Sequence, residues 1–214
     1  VQPGNIIEFI QDPADSDTNS PLVKGKFAAL EATGQTGDDP DVPGTGAIGY
    51  AQSAVSVVFN ATLVYGADFP PESVVFSLLV ADGGVPSGLQ TTEGVNIYLY
   101  NEGGLIVGRL GYDSDATADQ PNANGTIAFA IAIEQDGKVD LAQYLSLRHP
   151  DTSSNDETIS LKGGVVKAVL TITDSDGDSE SDSVDISSHI RFDDDGPSII
   201  GSAIRNTVDE DDIS

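Results

Sequence analysis

An all-β fold, an antiparallel β-sandwich with long acidic loops, is what this 214-residue sequence predicts. Three features support it: period-two alternation of apolar residues, glycine-marked turns between the alternating runs, and no sustained 3.6-residue apolar stripe with caps. The clearest run sets Ile127, Phe129, Ile131 and Ile133 on one face against Thr126, Ala128, Ala130 and Ala132 on the other, which reads as a buried strand. In a second, Val166, Ala168, Leu170 and Ile172 alternate with Lys167, Thr171 and Thr173, apolar inward and polar outward. Residues 54–65, 73–81, 95–100, 104–111, 139–147 and 180–192 are rich in Val, Ile, Tyr and Phe in the same way, so eight or more strands are expected. Asn101-Glu102-Gly103-Gly104, Asp136-Gly137 and Asp176-Gly177 supply the positive φ values of hairpin turns, and hairpins imply antiparallel pairing. Residues 139–149 could instead hold a helical turn, and residues 34–49, dense in Gly, Pro and Asp, read as a loop or insertion. The sandwich is expected over residues 1–192, with residues 193–214 a linker that enters a neighbouring module.

Charge narrows the function. There are 35 acidic residues against nine basic ones, a formal net charge of -26, so the folded chain repels itself unless cations neutralise it. Phosphate backbones and anionic bilayers recruit Lys and Arg, so neither nucleic acid nor direct membrane insertion is expected. No apolar run reaches the length of a bilayer-spanning helix. Cysteine is absent, which removes disulfides, thiolate metal sites and cysteine nucleophiles and leaves oxygen-ligated metal as the available staple for an exported chain. A start at Val1-Gln2-Pro3-Gly4, without a charged-then-apolar leader, reads as a piece of a longer protein.

Calcium takes six to eight hard oxygen ligands, so closely spaced Asp residues interrupted by Gly are what its loops require. The strongest cluster runs from Asp174 to Asp182, where Asp174, Asp176, Asp178 and Asp182 are expected to converge at a hairpin tip. A second is Asp193-Asp194-Asp195, ahead of Gly196-Pro197. An unbroken strand from Ser179 to Phe192 would span about 45 Å, which would put the two clusters at opposite ends of the domain as two sites. Weaker groups are Asp12, Asp15 and Asp17; Asp38, Asp39 and Asp41; Asp113, Asp115 and Asp119; and Asp151, Asn155, Asp156 and Glu157. Each of these also reads as a plain solvated acidic loop. Neither strong cluster has EF-hand spacing, since Gly177 stands fourth from Asp174, and the glycine-rich nonapeptide of calcium-binding β-rolls is missing.

Catalytic patterns are lacking. With so many carboxylates, a pair at glycosidase spacing arises by chance and says nothing. His149 and His189 fit neither metal nor triad spacing, and there is no phosphate loop or nucleophile elbow. The chain is expected not to be an enzyme.

The run Leu170-Thr171-Ile172-Thr173-Asp174-Ser175-Asp176-Gly177-Asp178, then a strand, then Phe192-Asp193-Asp194-Asp195-Gly196-Pro197, resembles the C-terminal part of a repeat domain in giant type I-secreted RTX adhesins. Residues 77–94, Val107-Gly108-Arg109, Ala128-Phe129-Ala130-Ile131 and Gln143-Tyr144 are similar to the middle of that domain, and Val208-Asp209-Glu210-Asp211-Asp212-Ile213 to the opening of a following repeat. The resemblance covers about residues 54–214 and implies several calcium ions in sandwich loops at the bacterial cell surface. Some family members hold short peptides by the free C-terminus in a calcium-dependent pocket, whereas others are spacers.

Two functions are therefore expected to compete. In the first, a binding module serves adhesion to host or other cells and biofilm formation. Loop-bound calcium with open coordination positions captures a peptide carboxylate or, alternatively, the hydroxyls of a glycan. Ser87, Gly88, Gln90 and Thr91 lie in a polar, glycine-punctuated stretch that offers donors, and Asp82, Asp113, Asp115 and Asp151 are the nearby metal candidates. Arg109 and Arg148 could pair with a ligand carboxylate or neutralise local acids, and Tyr98, Tyr100 and Tyr112 could wall a pocket or pack in the sheet. In the second, calcium only stiffens the joints between neighbouring repeats of the same chain, a role that suits Asp193 to Asp195.

Overall fold

The structure is a computed structural model; it describes residues 7–10, 21–38, 46–54, 56–57, 73–112, 119–154 and 157–193. The described strands are β1 (Ile7–Ile10), β2 (Gly49–Gln52), β3 (Ser73–Leu79), β4 (Val85–Gln90), β5 (Asn96–Glu102), β6 (Leu105–Leu110), β7 (Ile127–Ile133), β8 (Val139–Gln143), β9 (Thr158–Ser160), β10 (Lys167–Thr173), β11 (Ser179–Asp185) and β12 (Ile190–Asp193). One helix, α1 (Pro21–Glu31), accompanies them. The strands form a six-stranded sheet, β2-β8-β7-β6-β5-β4, and two three-stranded sheets, β11-β10-β3 and β1-β12-β9. Pairing is antiparallel throughout the described ladders except between β1 and β12.

The large sheet is a meander from β4 to β8 because its connections are hairpins. The tightest joins Glu102 to its partner Leu105 through Gly103 and Gly104, whose φ values of 62° and 91° are the pair a two-residue hairpin needs and side chains resist. Leu78, Val80 and Ala168 from the β11-β10-β3 side meet Leu99, Ile106, Phe129, Ile131 and Leu141 of the large sheet in one apolar core, with Ile190 and Phe192 closing it. This face-to-face burial of two sheets makes the domain a β-sandwich.

The opposite face of the large sheet is covered too. Val23 and Phe27 of α1, both fully buried, pack on Tyr50, Val107, Ala130, Ala142 and Tyr144. Two covered faces explain why β7 and β8 are buried along almost every residue. The helix was not expected from sequence. Its signals are Pro21 at the first helical position and the spacing of Val23, Phe27 and Leu30, a stripe only three residues long and diluted by Gly25.

Residues 139–143 are strand, as their patterning predicts, and not the alternative helical turn. Two other expectations change. Strict alternation along β7 fails at one point: Arg109 pairs with Ile127 and Gly108 with Phe129, so Ala128 is an extra residue. That bulge turns Ile127 toward α1 with Ala130 and Ala132, while Phe129 and Ile131 face the sandwich core. Residues 180–192 are not one strand either, because a 3-10 turn at Ser187–His189 separates β11 from β12, which lie in different sheets. The corner is fixed by buried Ser187, whose Oγ donates to Asp185 Oδ1 at 2.6 Å and accepts from the Val165 and Val166 amides. The estimate of two clusters one strand apart therefore has no basis. The expected strand over residues 54–65 falls largely outside the described residues.

Candidate ligand cavity and metal centre

A cavity of about 680 Å³ opens where β4, β5, β9 and the segment after β8 meet, lined by Pro86, Gly88, Leu89, Gln90, Asn96, Ile97, Tyr98, Asp119, Arg148, Pro150, Ile159 and Ser160. Gly88, Gln90 and Arg148, three residues singled out from sequence as ligand contacts, lie in it together. The long-range join is made by backbone: Thr91 bridges Leu147, and the Arg148 amide donates to the Gln90 carbonyl at 2.9 Å. Between Pro86 and Gln90 the β4–β5 register slips, and Gly88 adopts φ 86°. A side chain there would also meet Lys162 Cβ at 3.0 Å, so the irregular edge that shapes the cavity requires glycine.

Arg148 is exposed, and its Nη1 reaches Gln90 Oε1 at 3.4 Å; among the described residues it makes no ion pair. Tyr98 is buried, and its hydroxyl donates to the Asp119 carbonyl at 3.2 Å. Burial first, then the neighbouring Asp119, push this phenol up to about 12, so it stays a neutral donor across the working pH range.

The other ligand candidates have internal partners. Ser87 is fully buried, and its Oγ accepts from the Leu89 amide at 3.0 Å. Thr91 is buried, and its Oγ1 accepts from the Val95 amide at 3.3 Å. Arg109 takes the second of its two expected roles, neutralising a local acid, and not the ligand contact: Nε and Nη2 grip Glu102 at 2.6 and 2.7 Å, and Nη1 donates to the Gly125 carbonyl at 2.8 Å. Tyr112 is half exposed and bridges Gln120 outside the cavity lining. Sequence reasoning left Pro86, Asn96, Pro150 and Ser160 unassigned. Of these, Asn96 was within reach, since Gln90 and Asn96 flank the hairpin loop Thr91–Val95 and must face each other across it.

A second centre is the β10–β11 hairpin tip. The amide of Asp174 donates to the Asp178 carbonyl at 3.0 Å, and the Asp178 amide to Asp174 Oδ1 at 2.9 Å. This closes a tight loop that gathers one carboxylate oxygen each from Asp174, Asp176 and Asp178 within 4.8 Å of one another. Oxygens on a shell of about 2.4 Å radius around one cation lie no farther apart than about 4.8 Å, so the three could hold a metal ion. Without one the group is electrostatically frustrated. The side-chain hydrogen bond between Asp174 and Asp176 holds Asp174 below the usual carboxylate range and, with the charges of Asp174 and Asp178, pushes Asp176 above it.

Asp182 does not join them. It pairs with Leu170, three rungs below the Thr173–Ser179 pair that opens the tip, and a rung advances about 3.3 Å. Asp193 is not in a loop but ends β12, buried, with Oδ1 accepting from Thr158 Oγ1 at 2.5 Å. Asp82 is exposed in a turn. Asp151 Oδ1 takes the Ser153 amide and hydroxyl at 3.0 and 2.6 Å, a local turn that lowers its pKa through the Ser153 hydroxyl first and the amide second. Asp38 accepts from the Ser146 amide and hydroxyl at 3.0 Å. Asp113, Asp115, Asp194 and Asp195 lie outside the described residues, as do Asp12, Asp15, Asp17, Asp39, Asp41, Asn155 and Asp156.

No curated protein matches this chain, and no solved structure does. One family model, described as a domain of unknown function (DUF5801), matches residues 14–187, a span that includes the whole cavity lining and the three hairpin aspartates but ends before Asp193. On that match, which covers most of its length, the chain belongs to the DUF5801 family.

Proposed function

We propose that this domain is a calcium-dependent, non-enzymatic ligand-binding module of a bacterial surface adhesin, acting outside the cell, that captures short peptides by their C-terminal carboxylate. One observation carries this reading. In a chain with 35 acidic residues, Arg148 stands at a cavity wall without a carboxylate partner among the described residues. An arginine that needed only neutralisation had many acids to choose from, whereas one kept open beside apolar Ile97, Pro150 and Ile159 suits a carboxylate that arrives with its side chain. The order of sequence motifs that resembles RTX adhesin repeats supports the same reading.

Calcium fits the hairpin because its donors are all hard oxygens and their exposure lets water complete the shell. Asp174, Asp176 and Asp178 are absent from the cavity lining, so the ion would stiffen the fold and quench charge while Arg148 meets the ligand. Replacing Asp176 and Asp178 together by Ala is expected to remove at least one calcium ion from the stoichiometry measured by titration calorimetry. Unchanged stoichiometry would reduce the hairpin to a turn.

The binding test compares fluorescent peptides with free and amidated C-termini, in calcium and in chelator. Free carboxylates are expected to bind about tenfold or more tightly than amides, and Arg148→Gln to abolish the difference. Equal binding of both peptide forms would end this assignment. The separation of the hairpin aspartates from the cavity favours a second reading, a calcium-stiffened spacer, which a blank on peptide and glycan arrays with intact calcium uptake would support.

A further inference from the structure

One wall of the cavity is a single file of hydrogen-bonded side chains running from a cation to an anion. Arg148 Nη1 donates to Gln90 Oε1 at 3.4 Å, Gln90 Nε2 donates to Asn96 Oδ1 at 2.7 Å, and Asn96 Nδ2 donates to an Asp119 carboxylate oxygen. All four residues line the cavity. Every donor points the same way, so each amide is locked by neighbours at both ends: a flipped Gln90 would set its NH2 against the guanidinium and its carbonyl against Asn96 Oδ1. Gln90 and Asn96 are cross-strand partners on β4 and β5, which fixes the middle of the row to the sheet.

The row holds opposite charges apart instead of letting them meet. Among the described residues neither Arg148 nor Asp119 has an ion pair, and each keeps capacity: further N–H groups on the guanidinium, a second oxygen on the carboxylate. Fixed, separated poles are complementary to a ligand with the reverse dipole. The net charge of -26 adds a condition, since its long-range field turns anionic peptides away and draws cationic ones in.

We propose that the cavity selects peptides whose C-terminal carboxylate meets Arg148 and whose basic side chain, two or three residues upstream, meets Asp119. The proposal rests on the peptide-binding reading above and adds the ligand's sequence requirement. Three hydrogen bonds and two amide widths span at most about 13 Å. Two or three extended residues cover roughly 7–10 Å of that at 3.3 Å each, and the length of the basic side chain covers the rest. The intervening apolar side chain then faces Pro86, Ile97 and Ile159.

The test uses the whole 214-residue chain in millimolar calcium and fluorescent hexapeptides carrying Lys, or uncharged norleucine, at the second, third or fourth position from a free C-terminus. Each is also made as the amide. Lys at the third or fourth position is expected to tighten binding about tenfold over norleucine, and Asp119→Asn to erase that difference between the two peptides. Equal affinity for Lys and norleucine peptides, or a lysine preference that survives D119N, overturns the proposal. The peptide comparison on the unsubstituted protein decides the matter even where D119N fails to fold. Carboxylate dependence without lysine preference sinks only the dipolar selection; amides binding as well as acids, or no binding at all, sinks the peptide-capture reading with it.

Discussion

Calcium at a hundred times its dissociation constant is expected to raise the unfolding free energy by about 2.7 kcal/mol for each ion bound only by the folded state. For a chain of this size that is a rise in melting temperature on the order of 5–10 °C. Its source is the crowding of Asp174, Asp176 and Asp178, whose oxygens come within 4.8 Å, in a molecule of net charge -26. Sodium chloride of equal ionic strength screens the general repulsion but cannot take oxygen ligands from all three carboxylates at once, so it should give only part of the shift. Calorimetry in chelator, in sodium chloride and in calcium separates the two effects. The same melting temperature in all three would leave the hairpin without a metal role, and replacing Asp176 and Asp178 by Ala should cost the calcium-specific part.

A second large effect is expected from pH, at a different place. Asp140 on β8 is fully buried beneath α1; Gln52 Nε2 donates to its Oδ1 at 2.8 Å, while Oδ2 finds no donor among the described residues. Lys26 of α1 bonds Glu134 at 2.6 Å nearby. Burial, the largest influence, together with the Glu134 carboxyl pushes Asp140 up to about 6 against the opposing pull of Gln52 and Lys26. A carboxyl whose folded pKa is raised holds its proton in the native state after the unfolded chain has lost it. Its contribution is full below pH 3.8, falls as pH rises toward 6, and is gone above that. Between pH 4.5 and 7.5 the loss should be about 2 kcal/mol. General carboxylate repulsion works in the same direction, so the measurement is the difference between the protein and Asp140→Asn in urea unfolding, with chelator throughout. The variant keeps an acceptor for Gln52 and gains a donor for Glu134; it should be the more stable protein at pH 7.5 and show a flatter profile. Parallel profiles for the two proteins would place the titration elsewhere.

Both effects arise from carboxylates, yet only one was legible in advance. Asp174, Asp176 and Asp178 sit within five residues of chain, and a turn brings them together whatever the rest of the molecule does. Asp140 looks in sequence like any of its 34 acidic fellows. Its burial needs β8 to lie at the middle of a sheet covered on both faces, and the covering helix is specified by only Val23, Phe27 and Leu30. Arg109 and Arg148 show the same limit. Both were equal candidates for a ligand carboxylate until β5–β6 pairing set Tyr98 opposite Arg109 and brought Glu102 within reach of its guanidinium, and the Thr91–Leu147 bridge carried Arg148 to an open wall.

What the sequence determined alone is what neighbouring residues decide between themselves: strands from period-two patterning, hairpins from paired glycines, and an oxygen-rich loop at Asp174–Asp178. What tertiary structure decided is which distant residues share a surface. The cavity joins positions from Pro86 to Ser160, Ile127 faces the helix because one bulge at Ala128 shifts its register, and the strand expected to end at Phe192 turns a corner at Ser187. Local geometry follows from torsions and short-range contacts, whereas these placements depend on strand register and two-sided burial, which form only when the whole core does.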